Sequence, residues 1–160
     1  MIAPEGKIIL IPLLLLVLAS IGVQAYYPTE ILKWSNLILA VLTLFLLYFF
    51  RDPNRILPEN DGFLSPADGK VVQIIDIIDS EIGNAIQISI FLSIFDVHSQ
   101  RVPVSAKVIS KHYNPGKYLA AFNHKASLDN EQAVVLFKTN NGNHFKIKQI
   151  AGFIARRILN

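Results

Sequence analysis

The sequence predicts an α+β protein in which an N-terminal transmembrane helical hairpin precedes a mostly β soluble domain. Three observations predict it. Hydrophobic residues make up 52% of the 160-residue chain and charged residues only 17%, an apolar excess above the usual globular range. That excess is concentrated in two charge-free runs, Ile8 to Val23 and Leu37 to Phe50. Beyond Arg51 the composition changes abruptly to short Val-, Ile- and Phe-rich segments punctuated by Pro, Gly and Asn, the pattern of strands and turns.

The first helix is placed at about residues 8–24 and the second at about 31–50, tolerating Lys33 near its edge. A spanning helix needs roughly 20 apolar residues, so each run alone is short and a paired hairpin fits better. Between them Tyr26, Tyr27 and Trp34 are aromatics of the kind that favour the headgroup level, and Pro28 marks the turn. Lys7 precedes the first run while Arg51 and Arg55 follow the second, which puts both ends on the cytoplasmic side. A cleaved signal peptide, with Leu18-Ala19-Ser20 as a poor cleavage site, is one competing reading. A buried core hairpin is another, disfavoured because both runs are apolar on every face rather than along one stripe.

Residues 1–50 are thus read as a membrane anchor, 51–62 as a linker and 63–160 as a β-rich domain. The linker RDPNRILPENDG holds Pro53, Pro58, Asn60, Asp61 and Gly62, all turn formers. Strands are expected at Lys70 to Ile78, Ala85 to Phe95, Val102 to Ser110, Ala133 to Thr139 and His144 to Gln149. The last two are separated by Asn140-Asn141-Gly142-Asn143, a strong hairpin signal. Ala151 to Leu159 is expected to be a short helix.

Lys7 and Lys33 balance Glu5 and Glu30, so the whole net charge of +3 belongs to the chain beyond residue 50. A mildly basic domain tethered to a membrane is drawn to anionic headgroups. Nucleic acid is not expected as a partner, because there is no basic run and no interleaving of aromatic with basic residues. The absence of cysteine excludes thiol catalysis, disulfides and cysteine metal sites. No His, Asp and Glu spacing resembles a metal site.

Chemistry-bearing residues cluster in loops. Ser65-Pro66-Ala67-Asp68-Gly69-Lys70 places Asp68 in a turn that leads into a strand, and Leu92 to Pro103 places His98 between two strands with Arg101 three residues on. An Asp that orients a His, which in turn deprotonates a hydroxyl, is a general device for activating serine. By spacing alone, a structural Asp-Gly turn and a lone loop histidine explain these residues as well.

Four blocks, SPADGKV, LSIFDVHSQRVPV, NPGKYLAAFNHKASLDNEQ and QIAGFIARRI, preceded by FFRDPNR, resemble successive blocks of the phosphatidylserine decarboxylases in order and spacing. The similarity is to the short bacterial and archaeal form. The resemblance implies a membrane-bound lyase that removes the serine carboxylate of phosphatidylserine to give phosphatidylethanolamine. It also implies a proenzyme in which a serine of a Gly-Ser sequence cleaves the chain and becomes a covalent pyruvoyl cofactor, the electron sink for decarboxylation. In the family an aspartate of the first block and a histidine of the second assist this self-cleavage, and these fall on Asp68 and His98. His98 is also a candidate proton donor after decarboxylation. Many longer members have a second histidine where this chain has Arg101, which is read either as a partner for the substrate carboxylate or phosphate or as a surface ion pair.

Asn114, Lys117 and Tyr118 lie in a family block without assigned roles. His112, His124 and His144 are read as surface or interface residues, and Lys125 and Glu131 as a structural ion pair or site residues with equal weight. The chain has no Gly-Ser dipeptide and no serine after Ser127. The pyruvoyl-forming serine is therefore expected beyond residue 160, on an α-chain segment missing from this sequence, and the chain alone is expected to be inactive. Expected partners are the phospholipid membrane, phosphatidylserine, that segment and, as an option, a second copy of the chain, with localisation at the cytoplasmic membrane and the β domain facing the cytoplasm. Archaetidylserine remains an alternative substrate. A noncatalytic membrane-tethered β module that binds lipid or a partner protein remains the alternative function.

Overall fold

The structure is a computed structural model that describes residues 1–56, 62–119, 126–156 and 158. The chain divides into two compact units, Met1–Glu59 with Phe95–Ser99, and Asn60–Ile94 with Gln100–Asn160. Each is taken by itself.

The first unit is a pair of helices, α1 (Pro4–Tyr26) and α2 (Glu30–Phe49). Helix α1 is longer than its apolar run suggests. Pro4 occupies its first turn, where the missing N–H costs nothing, and the helix continues through Pro12. At 1.5 Å per residue the two helices are about 34 and 30 Å long. Thr29 caps α2, its Oγ1 accepting from the Leu32 amide at 3.3 Å, with Glu30 in the favourable first turn. Near the turn Asn36 donates its side-chain amide to Gln24 across the pair.

The apolar surface of the hairpin faces outward. Among residues of α1 only Gly6 and Leu10 are buried, and in α2 only Thr43, while Ile8, Leu18, Ile38 and Leu44 are 65–74% exposed. Both helices are long and apolar enough to cross a membrane. A core hairpin of a soluble protein would instead bury most of this surface, so the exposure weighs against that alternative.

The second unit is antiparallel β structure. Strands β1 (Lys70–Asp79) and β2 (Gly83–Phe91) form a two-stranded hairpin. Strands β3 (Ala106–Asn114), β4 (Gln132–Thr139) and β5 (His144–Ile150) form a sheet in the order β3-β4-β5, with one turn of helix, α3 (Ala126–Asp129), before β4. The central strand β4 holds most of the buried side chains, including Ala133, Leu136 and Phe137. Phe137 stacks on Phe145 at 5.0 Å, and Phe63 meets Phe145 edge-on at 5.2 Å. The β4–β5 connection closes through the Thr139 amide to the Asn143 carbonyl and the Gly142 amide to the Thr139 carbonyl, with Gly142 at φ +88°. That is a type I turn followed by a glycine bulge.

Three expectations need correction. The second strand stops at Phe91 and does not reach Phe95, because residues 95–99 belong to the helical unit. The third begins at Ala106, since Arg101 to Pro103 bonds instead to the Leu64 to Pro66 loop. The helix expected over 151–159 does not form in its described part, 151–156. The Ala151 carbonyl, which would accept an early helical bond, is taken by the Asn130 side-chain amide at 2.8 Å, and its N–H by the Glu131 carbonyl at 2.9 Å. Pro58, Asn60, Asp61, His124, Lys125 and Leu159 lie outside the described residues.

Candidate active site

The Asp68 turn is built by its neighbours. Ser65 Oγ donates to the Ala67 carbonyl at 2.6 Å, and Gly69 sits at φ +120° against the Phe91 carbonyl as β1 begins to pair with β2. A side chain there would both strain the backbone and collide with that oxygen. Two backbone hydrogen bonds join this turn to the Arg101 loop: Arg101 N to the Pro66 carbonyl at 2.8 Å and Leu64 N to the Pro103 carbonyl at 3.1 Å. Gln149 of β5 holds the same loop through Gln100 at 3.0 Å. Asp68 is half-buried and Arg101 exposed. The second unit therefore brings together the two loops that carry them.

His98 belongs to the first unit. Its ring lies against Phe49, the last residue of α2, with centroids 4.3 Å apart and planes tilted by 31°. Its Nδ1 is 3.0 Å from the Asp96 carbonyl oxygen. A carbonyl only accepts, so Nδ1 carries the proton and Nε2 bears the lone pair. Burial lowers the imidazole pKa, against the opposing pull of the Asp96 carbonyl and carboxylate, and the Arg51 guanidinium lowers it further. Burial thus favours the uncharged ring, in which Nε2 is the basic nitrogen.

The NPGKY block bonds in its described part to the segment that leads into β4. Lys117 bridges to Asn130 in a short parallel contact and its ammonium lies 3.2 Å from Asp129. Tyr118 donates its hydroxyl to Glu131 at 2.6 Å. That hydrogen bond, foremost, raises the phenol pKa. Asn130 bonds both the amide and the carbonyl of Leu119, at 2.8 and 2.9 Å, so with Ala151 it ties three segments together. Asn130, Glu131 and Gln132 are all buried. Sequence reasoning named only Glu131 of this cluster, as half of an ion pair or a site residue, and the burial of Asn130 and Gln132 left no local signal. Among the described residues no three His, Asp or Glu side chains converge as a metal site.

The fold defines a class first: an α+β protein with an exposed apolar helix pair and a separate unit of antiparallel strands whose loops bear Asp68 and Arg101. The His98 imidazole rests on Phe49 at the foot of α2. Comparison with known proteins narrows this. The profile described as phosphatidylserine decarboxylase matches residues 42–160. The phosphatidylserine decarboxylase proenzyme of Symbiobacterium thermophilum is 43% identical over 125 residues, covering 76% of this chain and 58% of that protein. The proenzyme of Amoebophilus asiaticus is 44% identical over 161 residues, covering 96% and 71%, and that of Chlorobium phaeobacteroides 39% identical, covering 99% and 75%. The chain belongs to the phosphatidylserine decarboxylase family, and spans 58 to 75% of the length of these relatives.

Proposed function

We propose that this chain supplies the membrane anchor and the base of a pyruvoyl-dependent decarboxylase that converts phosphatidylserine to phosphatidylethanolamine after self-cleavage of a proenzyme. The observation that carries the chemical part is the geometry of His98, whose ring rests on Phe49 and whose Nδ1 lies 3.0 Å from the Asp96 carbonyl, leaving Nε2 to act as the base. A serine hydroxyl is a weak nucleophile at neutral pH and needs an adjacent base. An imidazole with a defined, unprotonated Nε2 meets that need. Asp68 takes the family's assisting role in self-cleavage in this reading, and Arg101, whose loop is hydrogen-bonded to the Asp68 turn, offers a fixed cation to the carboxylate or phosphate of the substrate.

A pyruvoyl group formed from serine would supply an electron sink for loss of the carboxylate. His98 would be the group that returns a proton to the substrate carbon. The sequence has no Gly-Ser dipeptide, so in this reading the serine comes from a further α-chain segment and the chain does not decarboxylate without it.

Helices α1 and α2 span the membrane in this reading, with both ends cytoplasmic. Their outward apolar faces and lengths close to the roughly 30 Å hydrocarbon core support it. The bilayer would then hold the domain at the surface where its lipid substrate resides.

The test is to express the full reading frame, including whatever lies beyond codon 160, with His98→Ala. Self-cleavage is expected to slow by at least about 100-fold, the scale of a lost general base, seen as persistence of the full-length band. The wild type should yield two bands and lose decarboxylase activity on treatment with hydroxylamine, which traps the ketone. Normal cleavage by His98→Ala would refute the assigned role.

A further inference from the structure

Helix α2 does more at its C-terminal turn than end an apolar segment. Phe49 packs between Phe45 at 6.0 Å, Phe50 at 5.1 Å and the His98 ring at 4.3 Å. Arg51 lies over the Tyr48 ring at 3.8 Å, donates Nη1 to the Tyr48 carbonyl at 2.8 Å and donates Nη2 to the Phe95 carbonyl at 2.7 Å. The Tyr48 hydroxyl reaches the same carbonyl at 3.2 Å. Val97, between these contacts and His98, is 4% exposed. From the other side, the first residues of the chain strap the same turn: Ala3 N donates to the Phe50 carbonyl at 2.9 Å and Asp52 N to the Met1 carbonyl at 2.6 Å.

We propose that the C-terminal turn of α2 is a positioning device for His98, in which Phe49 supplies the surface its imidazole rests on and Arg51 pins the loop that carries it. This rests on the reading of His98 as the base. Two residues separated from it by more than 40 positions in sequence set its orientation, and both sit at the end of a helix otherwise fitted to lipid. An apolar ring on one face of the imidazole removes water from it, and the tie to the Phe95 carbonyl fixes the backbone from which His98 projects. The charged groups acting on the ring are the Asp96 carboxylate of its own loop and Arg51. The first favours the imidazolium and the second opposes it. Arg51 thus acts twice, as a brace and as a charge. A base misplaced by about 1 Å can lose 100-fold in rate, so the brace belongs to the proposed catalytic apparatus even though it touches no substrate.

The experiment reads His98 directly. The chain, labelled with ¹⁵N-histidine and placed in lipid nanodiscs, is titrated by NMR, with the His98 signals identified by their loss in His98→Gln. The wild type is expected to show an Nδ1–H tautomer and a midpoint below the ordinary histidine value. Phe49→Leu and Arg51→Gln are each expected to move the midpoint upward and to replace the single tautomer with an exchanging mixture, while Phe49→Tyr, which keeps the ring, restores both. If Phe49→Leu loses its helical circular dichroism, Arg51→Gln still decides the matter. An unchanged midpoint and tautomer in Arg51→Gln and in any folded Phe49→Leu protein overturns the positioning role, whatever the enzyme does. Failure of the enzyme reading has a separate signature, normal self-cleavage by His98→Ala, which leaves these spectra unaffected.

Discussion

Lys146 shows how much one side chain can join. Its ammonium, on β5, lies 2.6 and 2.8 Å from the two carboxylate oxygens of Asp79 and 2.6 Å from Glu81, with its own side chain only 16% exposed. Asp79 in turn accepts the amides of Glu81 and Ile82 at 2.8 and 3.1 Å, so it shapes the β1–β2 turn while it binds the lysine. The Lys146 hydrogen bond, first, and those turn amides hold the Asp79 carboxyl below its ordinary value. For Lys146, burial opposes the charge, but the bonds to Asp79 and Glu81 outweigh it and raise the pKa. A carboxylate with a depressed folded pKa contributes stability that is present above its unfolded value and lost as pH falls through the folded one. The thermal midpoint of the chain in detergent, followed by circular dichroism, is therefore expected to fall as pH drops below about 4. Lys146→Met should cost about 1–3 kcal/mol at neutral pH and flatten that acid dependence. Asp79 and Lys146 are 67 positions apart, and no local pattern pairs them.

At the scale of elements, the strands and the hairpin turn were legible because their signals are local. Alternating β-branched residues mark β2, and Asn141-Gly142 marks the β4–β5 turn. The helix expected over 151–159 was misread for the opposite reason. Its propensity is real but weak, and the Asn130 side chain takes the carbonyl it would need. Glycines separate the two kinds of cause. Gly142 has a positive φ with open space around it, whereas Gly69 has a positive φ and the Phe91 carbonyl in the way. Gly142→Ala is expected to cost about 1 kcal/mol, the backbone penalty alone. Gly69→Ala adds overpacking of about 1–3 kcal/mol and should loosen the turn that holds Asp68. Comparing the thermal midpoints of the two variants checks this, and equal losses would show that the β1–β2 entry yields freely.

At the scale of the whole molecule, the lack of cysteine makes the proposed membrane topology directly measurable. Single cysteines at Tyr27→Cys, in the exposed helix turn, and Asn141→Cys, in the β4–β5 turn, can be probed on intact cells with an impermeant maleimide. The expected result is labelling of position 27 from outside and of position 141 only after permeabilisation. Labelling of neither from outside would place the helix pair on one side of the membrane rather than through it.

The sequence by itself determined the two apolar helices, the antiparallel strands, the loops bearing Asp68, His98 and Arg101, and the family. Each of these depends on composition, period or motif within a short window. Tertiary structure alone decided that His98 rests on Phe49, that Arg51 braces the loop of His98, that Asn130 and Glu131 are buried, and that 151–156 is not helical. Those outcomes depend on which distant groups meet, and on burial that removes water from a ring or gives a carbonyl a stronger partner. A linear chain does not display either.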